Sequence, residues 1–234
     1  TYGDPFPELL VLVVAAPDDR PVRPYRGLTY TAEGIRKVRA IARETDRGRE
    51  QARQIFANSA PWLALADQAI LAFLPPETAV FARGTAGDPK TDQEWPSGGR
   101  SDDVCSLERP GTVRSPHTGD LYGSALPGEP CHDPGDGWVR QSDGKRFYFK
   151  GIWHTWIVSR MHEAMDDLAL AYMLTGDDAI ASRALLMLDA LTTLKARRGE
   201  EPGFPDTPGY GAPNKHFLAY GGNGANARMV ATAM

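Results

Sequence analysis

The chain lacks an excess of positive charge. Its 26 Lys and Arg are outnumbered by 30 Asp and Glu, for a net charge of -4 at pH 7, whereas a nucleic-acid footprint needs a basic face. It also lacks a long apolar run. The longest, Leu9 to Ala16, follows Asp4 and Glu8; it is too short to span a bilayer and has the wrong flank for a signal peptide. Cysteine is scarce, with Cys105 and Cys131 alone and neither CxxC nor HxxxH spacing anywhere, so the common zinc signatures are missing. Three readings of that pair stay open: free thiols, a disulfide closing the loop between them, or a zinc site completed by His117 and His132. Finally, no Gly/Ser or charge-block linker divides the 234 residues.

What is present belongs to a soluble globular protein, 41% hydrophobic and 24% charged. The expected organisation is a lead-in segment over 1–30 and a single domain over 31–234, the latter longer than the typical domain of about 100–150 residues. Thr1 in place of an initiator Met fits removal of a leader or simply a trimmed sequence, and the expected location is secreted or periplasmic. Local charge says more than net charge. Arg36, Lys37, Arg39, Arg43, Arg47, Arg49 and Arg53 lie along one helical stretch, while Arg140, Lys145, Arg146, Lys150 and Arg160 gather around an aromatic cluster. Solvated helix faces explain most such charges, but an anionic polymer could meet a local positive surface.

Thr31 is placed to cap a first helix with apolar positions Ile35, Val38, Ile41 and Ala42, and Glu33 falls in its favourable first turn. A second periodic segment runs through Ala52, Ile55 and Phe56, and a third through Trp62, Leu65, Ala66, Ala69, Ile70 and Phe73. Pro61 either opens the third or kinks one longer helix, and Pro75-Pro76 ends it. From Phe81 to Gly151 the periodicity disappears among Gly, Pro, Ser and Asp, with Trp95, Tyr122 and Trp138 scattered through. So long an irregular stretch predicts binding loops or short strands, and Phe147-Tyr148-Phe149 reads as a strand edge.

Helical pattern resumes at Trp153 and stops at Thr175-Gly176, where Gly176 can adopt the left-handed closing conformation. Asp177 or Asp178 then caps a helix with the stripe Ile180, Ala184, Leu188, Leu191 and Leu194. So tight a joint predicts an antiparallel helical hairpin. Gly203 to Pro213 is a second loop, and the Ala-rich helical sequence up to Met234 carries no stop signal, so a further C-terminal part of the natural protein is expected. Paired helices separated by long loops suggest stacked hairpins.

Four features together resemble the heparinase II/III-like polysaccharide lyases, a family that includes alginate and glycosaminoglycan lyases. They are Leu28-Thr29-Tyr30-Thr31-Ala32-Glu33-Gly34-Ile35, the Trp62 helix, the Trp153-His154 cluster, and Leu168-Ala169-Leu170-Ala171-Tyr172-Met173-Leu174-Thr175-Gly176-Asp177. The resemblance covers roughly 28–234, with the glycine-rich middle matching poorly. It implies an all-α fold, an incomplete α/α toroid of antiparallel hairpins with long irregular loops. It also implies cleavage of a uronic-acid polysaccharide by β-elimination, with an anionic polysaccharide as partner and neither nucleic acid nor membrane. Rivals are an α/α-toroid glycoside hydrolase, which needs two suitably spaced carboxyl groups, and a non-catalytic carbohydrate-binding module.

Elimination removes the C5 proton of a uronate, which is poorly acidic until the adjacent carboxylate is neutralised. Asn, His or Arg donors serve that purpose, a Tyr or His takes the proton, and Tyr or water protonates the departing oxygen. No cofactor is required; structural zinc or calcium has no supporting motif. The family's Asn, Tyr and His motifs match no position here, so the catalytic residues are unassigned, with His154, His216 and Tyr220 as candidates. Trp153, His154, Arg160, Asn214 and Asn223 are the candidate substrate contacts. Each has a bland counterpart: Trp153 and Trp156, three apart on one face, read as core packing somewhat more readily than as a sugar platform. Asp166 and Asp167 are neighbours on a helix and point apart, so no carboxylate dyad follows.

Overall fold

The computed structural model describes residues 31–76, 87–123 and 131–198. It is mostly helical. Among the described residues the α-helices are α1 (Ala32–Glu44), α2 (Asp46–Ala64), α3 (Asp67–Ala72), α4 (Phe149–Thr175) and α5 (Asp178–Arg198), and four short strands, β1 (Val113–Arg114), β2 (Leu121–Tyr122), β3 (Trp138–Val139) and β4 (Arg146–Phe147), are described between α3 and α4. The described residues form two compact units, one from 31–70 with 161–190 and one from 71–160 with 191–198. The Leu9 run, the Gly203 loop and the segment ending at Met234 lie outside the described residues.

In the first unit two threonines set the helix ends. Thr31 Oγ1 accepts the Gly34 amide at 3.0 Å, the N-cap its position predicts. Thr45 serves two helices at once, donating its hydroxyl to the Ile41 carbonyl (3.0 Å) and accepting the Gly48 amide (3.0 Å). Gly48 is pressed so tightly into this corner that a Cβ there would sit 2.1 Å from the Ile41 carbonyl oxygen. Only glycine fits.

Pro61 opens no helix. It lies inside α2, and the break comes at Leu65, whose backbone is extended (φ -76, ψ 145). Ser59 turns its hydroxyl back onto the Ile55 carbonyl at 2.9 Å, two residues before the proline that removes an amide from the ladder. The first predicted stripe is only partly covered: Ile35 is buried, but Val38 is 51% and Ile41 44% exposed. Helix α1 is held instead by Arg39, whose Nε donates to the Met173 carbonyl at 2.7 Å, and α3 is tied to α5 by an Arg183–Asp67 ion pair at 2.8 Å. Gly176 takes φ 68 and donates to Tyr172 O, and Asp177 Oδ1 accepts the Ala179 amide at 2.9 Å, both as the sequence predicts.

The second unit contains the described part of the glycine-rich stretch, 87–123 and 131–151, which carries short strands as the sequence predicts. Strands β1 and β2 pair antiparallel (Val113 opposite Tyr122), as do β3 and β4 (Trp138 opposite Phe147). Phe147-Tyr148-Phe149 divides, Phe147 ending β4 and Phe149 opening α4. Around Phe149 the scattered aromatics converge: Tyr122 stacks on it at 5.0 Å between centroids, with Phe147 at 5.9 Å and Trp95 and Trp138 both at 6.2 Å. Such contacts add to apolar burial, so the stretch contributes its own core. Helix α4 is buried on every side over 151–158, where only His154 and Thr155 are polar.

Candidate functional site

The Trp-His cluster lies one turn inside α4 rather than at its start, because α4 begins at Phe149 and not at Trp153. The early start has an external cause. Asp133, fully buried, accepts the Lys150 amide on Oδ2 at 2.9 Å and the Gly135 and Gly137 amides on Oδ1 at 2.8 and 3.0 Å. One carboxylate thus satisfies a first-turn helix donor and folds the preceding loop.

Trp153 and Trp156 are 3% and 6% exposed, which is the core reading of the two. Their rings lie 6.4 Å apart, and Trp153 also meets Phe73 edge-on at 5.9 Å. Both indole N–H groups donate to the 102–106 loop, Trp153 to the Ser106 carbonyl and Trp156 to Asp102 Oδ1, each at 3.1 Å. His154 is 8% exposed, its ring 5.9 Å from that of Trp153. Arg160, one turn beyond Trp156, is partly exposed; its Nε donates to Asp102 Oδ1 at 3.0 Å and its Nη2 pairs with the same oxygen. Its guanidinium carbon lies 5.9 Å from the centre of the Trp156 ring. Trp156 and Arg160 therefore aim three donors at one carboxylate oxygen. Asn214, His216, Tyr220 and Asn223 lie outside the described residues.

Two buried carboxylates escaped the sequence reading. Besides Asp133 there is Asp88, with no exposed surface, which accepts the Lys90 and Thr91 amides (2.8 and 3.2 Å) and the Thr118 hydroxyl (3.0 Å), with the Tyr122 hydroxyl at 3.4 Å. Burial opposes its ionisation, but the Ser115 and Thr118 hydroxyls and these amides more than compensate, and its pKa falls below the ordinary 3.8. A signal for both was present: Asp88-Pro89 and Asp133-Pro134-Gly135 are turn sequences in which Asp accepts nearby amides.

The basic residues near the cluster are largely spoken for. Arg140 pairs with Asp92 and Asp143 (3.0 and 2.5 Å) and donates to the Pro89 carbonyl, Lys145 pairs with Asp92, and Lys90 with Asp120. Hydrogen bonding to Arg140 holds the Asp143 carboxyl at about 2. Cys105 and Cys131 are free thiols; burial pushes Cys105 up to about 12, and its Sγ contacts the Gly99 carbonyl. Among the described residues, no cluster of His, Cys, Asp or Glu is arranged to hold a metal, and no helix is long and apolar enough to cross a membrane.

Among the described residues, a carboxyl with a strongly raised pKa lies in the first unit. Asp166 Oδ1 is buried without a hydrogen-bond partner. Burial, with the charges of Asp167 and Glu163, raises its pKa to about 6. The folded state therefore holds this proton more tightly than the unfolded chain, and ionisation erodes stability as pH rises from 3.8 through about 6. Asp166→Asn is expected to raise the melting temperature at pH 7 and to lose that advantage below about pH 4. Equal gains at both pH values would place the effect in packing instead.

No family model, curated protein or solved structure matches this chain.

Proposed function

We propose that this chain contributes the helical part of a polysaccharide lyase that cleaves a uronic-acid polymer by β-elimination, its paired helices forming a portion of an α/α toroid. The observation that carries the reading is the convergence of Trp156 Nε1 and the Arg160 guanidinium on one carboxylate oxygen at a partly exposed position. Elimination needs such donors first, because charge develops on the substrate carboxylate as the C5 proton leaves. Arg is suited to the task, being permanently charged and forked. In this reading Arg160 and Trp156 neutralise the carboxylate, and His216 and Tyr220 are the candidates for moving protons at C5 and at the departing oxygen. The resemblance of Leu168 to Asp177 to the lyase hairpin supports the same class.

The test is product chemistry. The protein, given alginate, heparan, chondroitin and hyaluronan in turn, is expected to release fragments with an ultraviolet-absorbing unsaturated end. New reducing ends without absorbance would mean hydrolysis, and binding without turnover a non-catalytic module; either result defeats the proposal. Arg160→Ala is expected to cut turnover on the active substrate by about a hundredfold or more, the usual loss for one donor to a developing charge.

A further inference from the structure

We infer that Asp102 is an internal occupant of a carboxylate cradle made by Trp156 and Arg160, and that a uronate carboxylate binds there by displacing it. The inference rests on the lyase reading for the identity of the ligand, but the cradle itself follows from geometry. Asp102 Oδ1 receives the Trp156 indole N–H at 3.1 Å, Arg160 Nε at 3.0 Å and Arg160 Nη2. Three donors on a single oxygen form a site for an anion, and charge-assisted bonds from Arg to a carboxylate oxygen are among the strong ones.

Asp102 is a replaceable guest. Its side chain is 67% exposed and that of Arg160 35%, and exposed ion pairs contribute little net stability. The loop that carries it is fixed by other means: Val104 and Cys105 are buried, the Val104 carbonyl accepts the Arg114 amide at 2.7 Å, and the Trp153 indole holds the Ser106 carbonyl. Releasing Asp102 therefore leaves the loop in place. The donors also stay organised, because Trp156 is buried and Arg160 lies along its ring. Binding then exchanges one carboxylate for another, so affinity depends on what the rest of the sugar adds.

The chain has five Trp, whose indole N–H resonances are resolvable by nuclear magnetic resonance, and the Trp156 signal reports on the cradle directly. Titration with glucuronate oligomers is expected to move that signal saturably, while neutral glucose oligomers leave it unmoved. Asp102→Asn and Asp102→Ala are expected to tighten the uronate response about two- to fivefold, the effect of removing an exposed competing pair, and Arg160→Ala to abolish it. A Trp156 signal unmoved by uronate in the wild type and both variants, or moved equally by glucose, overturns the cradle. So does unfolding of both Asp102 variants, seen as collapse of the other four indole signals, because it would make Asp102 structural. The two proposals separate cleanly. A uronate response without unsaturated product leaves the cradle and removes the lyase, whereas product without a Trp156 response does the reverse.

Discussion

Asp133→Ala is expected to cost about 3–5 kcal/mol, the largest single-site loss in the second unit. Three amides donate to this buried carboxylate, bonds to a charged acceptor are worth about 1.5–3 kcal/mol each, and neighbouring losses fall short of additivity. Removing the side chain strands the Gly137 amide in the interior and frees the Lys150 amide at the start of α4. Because Phe149 anchors the aromatic stack beside that start, the first turn of α4 and the stack should loosen together. Thermal unfolding monitored by near-ultraviolet circular dichroism gives the measurement, with an expected fall of roughly 6–20 °C. Asp133→Asn is expected to fall between wild type and alanine, since its one carbonyl oxygen can keep the two glycine amides while its NH2 faces the Lys150 amide. A loss below 1 kcal/mol for alanine would mean that water replaces the carboxylate at no cost.

Asp88→Ala is expected to cost about 2–4 kcal/mol at pH 7, from loss of two amide bonds and the Thr118 hydroxyl bond to a charged group. Its pH dependence distinguishes it from an ordinary core truncation. The carboxyl is more acidic folded than unfolded, so its stabilisation is complete above the unfolded value near 3.8 and is lost as pH falls through the lowered folded value. Denaturant unfolding at pH 7 and near pH 3 should show the gap between wild type and Asp88→Asn narrowing at the lower pH. An unchanged gap would assign the loss to shape rather than to charge.

Where local chemistry governs, the fold was legible in the sequence. Thr31, Gly176 and Asp177 cap or close helices as their residue types predict, because each acts on amides or carbonyls within a few positions of itself. Apolar spacing located the helices for the same reason. It misjudged Val38 and Ile41, which remain exposed, since periodicity gives the apolar face but not what covers it. It also misplaced the start of α4. That start depends on Asp133, 17 positions before Lys150, and no helical window includes so distant an acceptor.

The candidate site divides along the same line. The sequence by itself determined the residue types at Trp153, His154, Trp156 and Arg160 and their common helix, because spacing on a helix is fixed by its period. Tertiary structure alone decided that the indoles are buried and that Asp102, 58 positions from Arg160, meets it. It also decided that Trp95, Tyr122, Trp138 and Phe147 gather on Phe149. These are long-range contacts made by turns whose directions depend on buried carboxylates and left-handed glycines, and a one-dimensional pattern carries the residues of such turns but not the directions they take.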